Sequence, residues 1–313
     1  MKLTCIFFGT HEFGATVLKE LLAADVWNIT ALVTQPDQPV GRTQTLTPPP
    51  VKQVAQTMAF DGDILQPETL KNTDFKANLA SYNASFFIIV EYGKLIPADV
   101  LLMPRYGCIN IHPSLLPQYR GPAPLQQALT DGAHVTGVSI MLIDEGMDSG
   151  PILAQKKYAI DSDEIFPELR QRLAQESVDL LLKTIPPYLA GTLQPRAQNH
   201  SQASFTHLLT RDDGRVDGNK TVAELYNQWR GLTPWPGIFT EIHYKAKPLR
   251  LKLLEVRPAH AVKNTNGKPC SLIVQGNKLF IAAADGLLEI LMLQPEGKKA
   301  MDAGSFINGF KLG

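Results

Sequence analysis

Asn110 and His112 stand two residues apart in the stretch INIHPSLLPQYRGPAP, Ile109 to Pro124. If a strand runs through them, both side chains leave on the same face. A histidine there can act as a general acid, or as an imidazolium aimed at developing negative charge. The asparagine offers an amide NH2 donor to the same oxyanion. A histidine in that role wants an orienting carboxylate, and IDEGMDSG supplies Asp144, Glu145 and Asp148 at the end of the next strand. Spacing alone leaves these three open. Ser114 is an alternative nucleophile in a Ser-His-Asp arrangement, but no G-x-S-x-G elbow surrounds it. A zinc site would draw further ligands from His134 and Asp144; no tight His/Cys spacing is present, and no metal is expected. No G-x-G-x-x-G follows the first strand and no G-x-x-x-x-G-K-[ST] occurs, so a dinucleotide or P-loop nucleotide has little support.

Residues of this kind need a rigid edge, and the first half of the chain has the pattern to build one. LTCIFFGT (Leu3 to Thr10) is nearly all apolar, as a strand buried on both faces is. Thr10 can cap a helix over roughly His11 to Leu22. ITALVTQP, ASFFIIVEYG, Cys108 to Ile111 and GVSIMLID read as further strands. Strands alternating with helices predict an α/β domain with a parallel doubly wound sheet, on which ligands sit at the carboxyl ends of strands. Asn110 and His112 lie at such an end. Gly121-Pro122 is expected to open a helix that stops before Gly132. A longer helix is expected from about Asp163 to Thr184, with Ile165, Leu169 and Leu173 on one face and Pro186-Pro187 as its stop.

The chain then changes character. LAGTLQPRAQNHSQASF is polar and without period, as a linker is. Thr221 and Glu224 form a capping-box pattern before LYNQW. IFTEIHY, LRLKLLEV, SLIVQG, KLFIAAA and GLLEILML follow as short strands, which suggests a small barrel. The boundaries expected are 1–189 for a catalytic domain, 190–205 for a linker and 206–313 for a β-rich domain.

The whole composition bounds the partners. The chain has 313 residues, 44% hydrophobic and 19% charged, enough for two ordinary cores. Its formal net charge is zero, which by itself speaks weakly against nucleic acid without excluding a local patch. Cys5, Cys108 and Cys270 are scattered and odd in number, which argues for a reducing, cytoplasmic setting. No apolar run approaches the roughly 20 residues of a membrane helix, and MKLTCIFFGT reads as a first strand and not a signal peptide.

NIHPSLLPQYRG followed by MDSG resembles the 10-formyltetrahydrofolate-dependent formyltransferases. FFGTHEFG, VTQPDQPVGR, PPPVKQVA and EYGKLIP, with TPWPG and LQPEGKKAM near the end, are similar to the members that act on methionyl-tRNA. The likeness covers nearly the full length. It implies transfer of the formyl group of 10-formyltetrahydrofolate to the α-amino group of methionyl-initiator tRNA, for translation initiation. It implies a tetrahedral intermediate held by Asn110 and His112, with Asp148 assisting proton transfer; the resemblance, and not the spacing, selects Asp148 over Asp144. It places the folate-binding turn on Ser114, Leu115, Leu116 and Pro117, with Glu91 and Lys94 near that pocket. It implies a Rossmann-like formyltransferase domain with a parallel-rich sheet and a C-terminal OB-like β-barrel that binds tRNA. The family loop after VTQPDQPVGR enters the tRNA acceptor stem and is often rich in lysine; here it reads TQTLTPPP, and Arg42 is its only cation. Lys52, Lys298 and Lys299 are the cations left to compensate. The chain is expected to act as a monomer, with no membrane and no metal. The alternatives are formyl transfer to a sugar-nucleotide amine, hydrolysis that discards formate, and a non-catalytic RNA-binding module. Trp229, Trp235 and Phe239 could serve the last of these, but are expected in the core.

Overall fold

The computed structural model describes residues 2–41, 43–259 and 268–310. The chain divides into two compact units. The first contains 1–124, 135–159 and 170–206; the second contains 125–134, 160–169 and 207–313.

The first unit is built on strands β1 (Thr4–Gly9), β2 (Asn28–Val33), β3 (Gln38–Val40), β4 (Thr45–Thr47), β5 (Asp63–Leu65), β6 (Phe86–Val90), β7 (Cys108–His112), β8 (Val135–Leu142) and β9 (Ile152–Ala159). Seven of them form one sheet in the order β5-β2-β1-β6-β7-β8-β9. β5, β2, β1, β6 and β7 run parallel, whereas β7-β8 and β8-β9 are antiparallel. The parallel part follows from the sequence: TCIFFG and FFIIV are buried along almost their whole length, as strands covered on both faces must be. Phe7, Phe8, Phe86 and Phe87 lie in that core, each contributing about 1.5–3 kcal/mol by leaving water. The antiparallel edge departs from the parallel sheet expected. β9, ILAQKKYA, escaped the sequence reading because its middle is half exposed and carries Lys156 and Lys157. The loop after Val33 also carries structure: β3 and β4 pair as a small hairpin. Arg42, between them, lies outside the described residues.

Helices α1 (Glu12–Ala24), α2 (Pro50–Thr57), α3 (Thr73–Ser81), α4 (Ala98–Leu101), α5 (Pro124–Thr130) and α6 (Phe166–Leu189) complete the first half of the chain. Thr10 does not cap α1. Its hydroxyl donates to the Tyr92 carbonyl at 2.8 Å, and the N-cap residue is His11, which makes no side-chain cap bond. The vacant cap is filled from β6: Glu91 Oε2 accepts from the Phe13 N–H at 3.2 Å. The helix expected at Pro122 starts instead at Pro124, the proline that stands at its first position. α6 runs past Pro186-Pro187 to Leu189. The two prolines lack donors, but proline's fixed φ suits a helix; the Pro186 carbonyl accepts from Ala190 N–H and, across the Gly191 turn at φ 74°, the Pro187 carbonyl accepts from Thr192 N–H, each at 3.0 Å.

The second unit holds α7 (Val222–Leu232) and an antiparallel sheet of β10 (Ile238–Tyr244), β11 (Lys247–Pro258), β12 (Leu272–Gln275), β13 (Lys278–Ala282), β14 (Leu287–Pro295) and β15 (Met301–Asp302), followed by α8 (Ala303–Phe310). Its order is β10-β11-β14-β13-β12, with β15 added to β14, a curled sheet of the OB-like kind. The capping box of α7 is complete: Thr221 and Glu224 each bond the other's backbone N–H. Trp229, Leu251, Leu253, Ile290 and Phe306 fill its core. Trp235 is not among them. It is 54% exposed, in a turn between Pro234 and Pro236 and outside any periodic element. Phe239 is buried, with Arg250 and Arg215 guanidinium carbons 4.3 and 5.2 Å from its ring centre.

Candidate active site

β7 ends at the carboxyl edge of the sheet, between parallel β6 and antiparallel β8. Asn110 and His112 alternate with Ile109 and Ile111, so one face of β7 carries the apolar pair into the core and the other carries the polar pair. Asn110 is 9% exposed and His112 5%. The Asn110 amide has no hydrogen-bond partner among the described residues, and neither of its polar atoms is sealed from solvent. His112 Nε2 lies 3.0 Å from the Tyr119 carbonyl, an acceptor only, so that nitrogen carries a proton. Nδ1 faces Asp148 Oδ2 at 3.6 Å. Of the three acids that spacing left open, Asp148 is the one in contact with the imidazole. Asp144 is spent on its own turn, accepting from Gly146 N–H at 3.1 Å and Ser149 Oγ at 2.7 Å, and Glu145 is exposed.

Asp148 stands at φ 48°, a left-handed conformation that glycine, asparagine and aspartate adopt more readily than other residues. Its Oδ2 also accepts from the Gly121 N–H at 2.7 Å. Gly121 is itself at φ 106°, and a Cβ there would meet the Thr206 carbonyl at 2.8 Å. At Gly150 a Cβ would fall 1.9 Å from the Leu142 carbonyl, so no other residue closes this turn without moving the backbone.

The segment after His112 is braced from β8 and β9. Ser139 Oγ donates to the Ser114 carbonyl at 2.6 Å and accepts from Leu116 N–H at 3.1 Å. Gln155 Nε2 donates to the Leu116 carbonyl at 2.9 Å and to Ser139 Oγ at 2.8 Å. The Leu116-Pro117 bond is cis. Ser114 is fully buried and its hydroxyl donates to the Gln118 carbonyl at 2.6 Å, which leaves it no part as a nucleophile. Leu116 is buried as well; Leu115 and Pro117 are the half-exposed members of the turn. Burial also pushes the Cys108 thiol up to about 12, so it is no thiolate.

Beside this, at the end of β6, Glu91 is half-buried at φ 49°. Burial pushes its carboxyl up to about 7, against the N–H of Phe13 and the charge of Arg170. His11 is held below its ordinary value by burial. Lys94 Nζ donates to the Glu68 carbonyl at 2.9 Å. Lys52 is engaged with Asp37 at 2.9 Å and Gln66 at 2.7 Å, which takes it out of the set of free cations. In the second unit, Lys298 and Lys299 lie exposed in the turn after β14 with no ion pair among the described residues. Among the described residues no group of three or more His, Cys, Asp or Glu side chains could hold a metal.

Sequence reasoning missed the residues that brace the Asp148 turn and the Tyr119–Ala123 turn. Arg120, 4% exposed, donates from Nε and Nη2 to Gln198 Oε1 at 3.2 and 2.7 Å, and from Nη2 to His200 Nδ1 at 3.0 Å. Gln198 comes from the stretch read as a linker. That stretch bonds back along its length: Arg120 N–H to the Ser204 carbonyl at 2.9 Å, Thr206 N–H to the Arg120 carbonyl at 2.7 Å, and Tyr119 N–H to Ser204 Oγ at 2.8 Å. Nothing in RAQNHSQASF except its short polar side chains hints at this.

The Asn110 amide and the His112 imidazole thus lie on one strand face, with the Asp148 carboxylate behind the ring, groups whose chemistry suits an oxyanion. Residues 1–185 match the formyl transferase family and residues 208–311 match the formyl transferase C-terminal domain. The chain belongs to the formyl transferase family and is a formyl-group transferase. Among its relatives, methionyl-tRNA formyltransferase of Thermodesulfovibrio yellowstonii is 39% identical over 307 residues, covering 98% of this chain and 96% of that one. Methionyl-tRNA formyltransferase of Acidobacterium capsulatum is 42% identical over 314 residues, covering 100% and 97%. The fold matches the crystal structure of WlaRD, a sugar 3N-formyl transferase in the presence of dTDP and 5-N-formyl-THF, with TM-score 0.63, 18% identity, and coverage of 96% of this chain and 99% of that one. No helix among the described residues is long and apolar enough to cross a membrane.

Proposed function

We propose that this chain transfers the formyl group of 10-formyltetrahydrofolate to the α-amino group of methionyl-initiator tRNA. The observation that carries the reading is likeness over the whole length, second unit included, to methionyl-tRNA formyltransferases at 37–42% identity. In this reading residues 1–189 are the catalytic domain, 190–205 a connecting segment and 206–313 a tRNA-binding domain. The protein works in the cytoplasm as a monomer.

The neutral amine attacks the formyl carbon, and a new C–N bond forms as the carbonyl becomes an oxyanion. Asn110 offers its unpartnered NH2 to that oxygen, and His112 exchanges the Tyr119 carbonyl for it as the acceptor of its Nε2–H. Asp148, against His112, assists removal of the proton the amine loses. Collapse of the intermediate breaks the bond to folate nitrogen, and tetrahydrofolate leaves with a proton in place of the formyl group. The turn Ser114, Leu115, Leu116 and Pro117 lines the folate site, with Leu115 and Pro117 as the half-exposed residues it offers. Arg42, Lys298 and Lys299 contribute charge toward tRNA phosphates.

The test is a transfer assay with labelled formyl donor, charged initiator methionyl-tRNA and, separately, amino-sugar nucleotides. Label on methionyl-tRNA is the expected outcome. Label on a sugar alone, or formate released without an acceptor, overturns it.

A further inference from the structure

Gln198 is 7% exposed and makes four hydrogen bonds with its side-chain amide. Its oxygen takes Arg120 Nε and Nη2 at 3.2 and 2.7 Å. Its nitrogen donates to the Asp148 carbonyl at 2.9 Å and the Gly150 carbonyl at 2.7 Å. Gly121, next to Arg120, donates to the Asp148 carboxylate at 2.7 Å. These bonds close a ring: Gly121 to the Asp148 side chain, the Asp148 backbone to Gln198, Gln198 to Arg120, and Arg120 to Gly121 through the chain.

The residue type at 198 carries information. A buried guanidinium pairs best with a carboxylate, because charge-assisted bonds are about twice as strong as neutral ones. Glutamate would therefore suit Arg120 better than glutamine. Glutamate cannot donate, however, and the carbonyls of Asp148 and Gly150 only accept. Only the amide serves both ends. Its donor end works on a turn whose central residue stands at φ 48°, a left-handed conformation that aspartate tolerates better than most residues and that the bonds to its carbonyl and to that of Gly150 hold in place.

We infer that Gln198 is a positioning residue for formyl transfer: it clamps the backbone of the Asp148 turn and so sets the Asp148 carboxylate against His112. The inference rests on the role proposed above for Asp148. Gln198 touches neither reacting group; it acts through the carbonyls of Asp148 and Gly150 and the guanidinium that anchors the facing turn.

The experiment is a double-mutant cycle on the full chain, reading kcat, KM for the formyl donor and Tm. Gln198→Glu keeps the acceptor for Arg120 and removes both donors. It is expected to lower kcat by about 10- to 100-fold, the scale of a misplacement near 1 Å, with KM for the formyl donor close to wild type and Tm lowered, because two buried carbonyls lose their donors. In an Asp148→Ala background the same change should cost less than about threefold, because neighbours acting through one group are not additive. Gln198→Asn, which keeps the amide and retracts it, should show the same coupling, and serves if the glutamate variant does not fold. A kcat within about threefold of wild type for both variants, beside a crippled Asp148→Ala, overturns the inference and leaves the role of Asp148 standing. A loss that persists in full without Asp148 also overturns it, since Gln198 would then act independently. Unimpaired turnover in Asp148→Ala overturns the catalytic reading, and the inference with it.

Discussion

Glu91 and Asp148 are two acids near the carboxyl edge of one sheet, and both accept a backbone N–H. Glu91 takes Phe13 N–H at 3.2 Å and completes a helix that its own neighbours leave uncapped. Asp148 takes Gly121 N–H at 2.7 Å with the same oxygen that faces His112 at 3.6 Å. Both stand at positive φ, 49° and 48°. The backbone geometry is therefore alike, and the difference lies in what else the carboxylate sees. One faces a helix terminus and desolvating walls, the other an imidazole in a partly open turn. Two acids with like backbone geometry are told apart by what else their carboxylates meet.

The contrast is broken most directly at the imidazole. His112→Ala and Asn110→Ala should each lower kcat by about 10²–10³ while leaving Tm near wild type, because each removes one donor from the oxyanion. Near-normal turnover in His112→Ala, read by the labelled transfer assay, would sink the mechanism. Next in size is the turn itself. Gly150→Ala should destabilise the fold by about 1–3 kcal/mol, the usual cost of overpacking, and appear as a lower urea midpoint. An unchanged midpoint would mean that the Asp148 turn is looser than its 1.9 Å clearance to Leu142 indicates.

Glu91 supplies the opposite arm of the comparison. Its folded carboxyl titrates near 7, above the ordinary 4.5, so the fold binds that proton more tightly than the unfolded chain does. The stabilisation is complete below about 4.5 and is lost as pH rises through about 7. Glu91→Gln should shrink the difference in Tm between pH of about 5 and about 8, and should reduce kcat far less than His112→Ala does. Equal slopes in the two proteins would show that the carboxyl is not held protonated. The smallest effect is expected in the second unit. Lys298→Ala with Lys299→Ala should raise KM for methionyl-tRNA about two- to fivefold, reduce its salt dependence, and leave KM for the formyl donor alone. A change in the donor KM instead would detach that turn from tRNA binding.

Much of this was legible in the residues. The apolar runs of β1, β6 and β7 announced a buried parallel sheet, and the N-x-H pair at the end of β7 announced a polar face. The acid was not legible from spacing: Asp144 and Asp148 are both four residues or fewer from a turn glycine, and only the backbone path decides which one meets His112. Thr10 looked like a helix cap because its type fits that place, yet a distant carbonyl at Tyr92 took its hydroxyl. Trp235 looked like core because its ring is large, but flanking prolines hold it in an exposed turn. The stretch around Gln198 carried no period at all, since its order comes from partners about eighty residues away.

The bonds from Ser204 and Thr206 to the turn at Tyr119–Ala123 span 83 to 86 residues of chain. On a ribosome adding roughly 5–20 residues per second, the nascent protein would spend on the order of ten seconds with β7 already made and its clamp still unsynthesised. The site is thus one of the last parts of its unit to be finished. A fragment cut at residue 185 would carry Asn110, His112 and Asp148 without the segment bonded to the Asp148 turn.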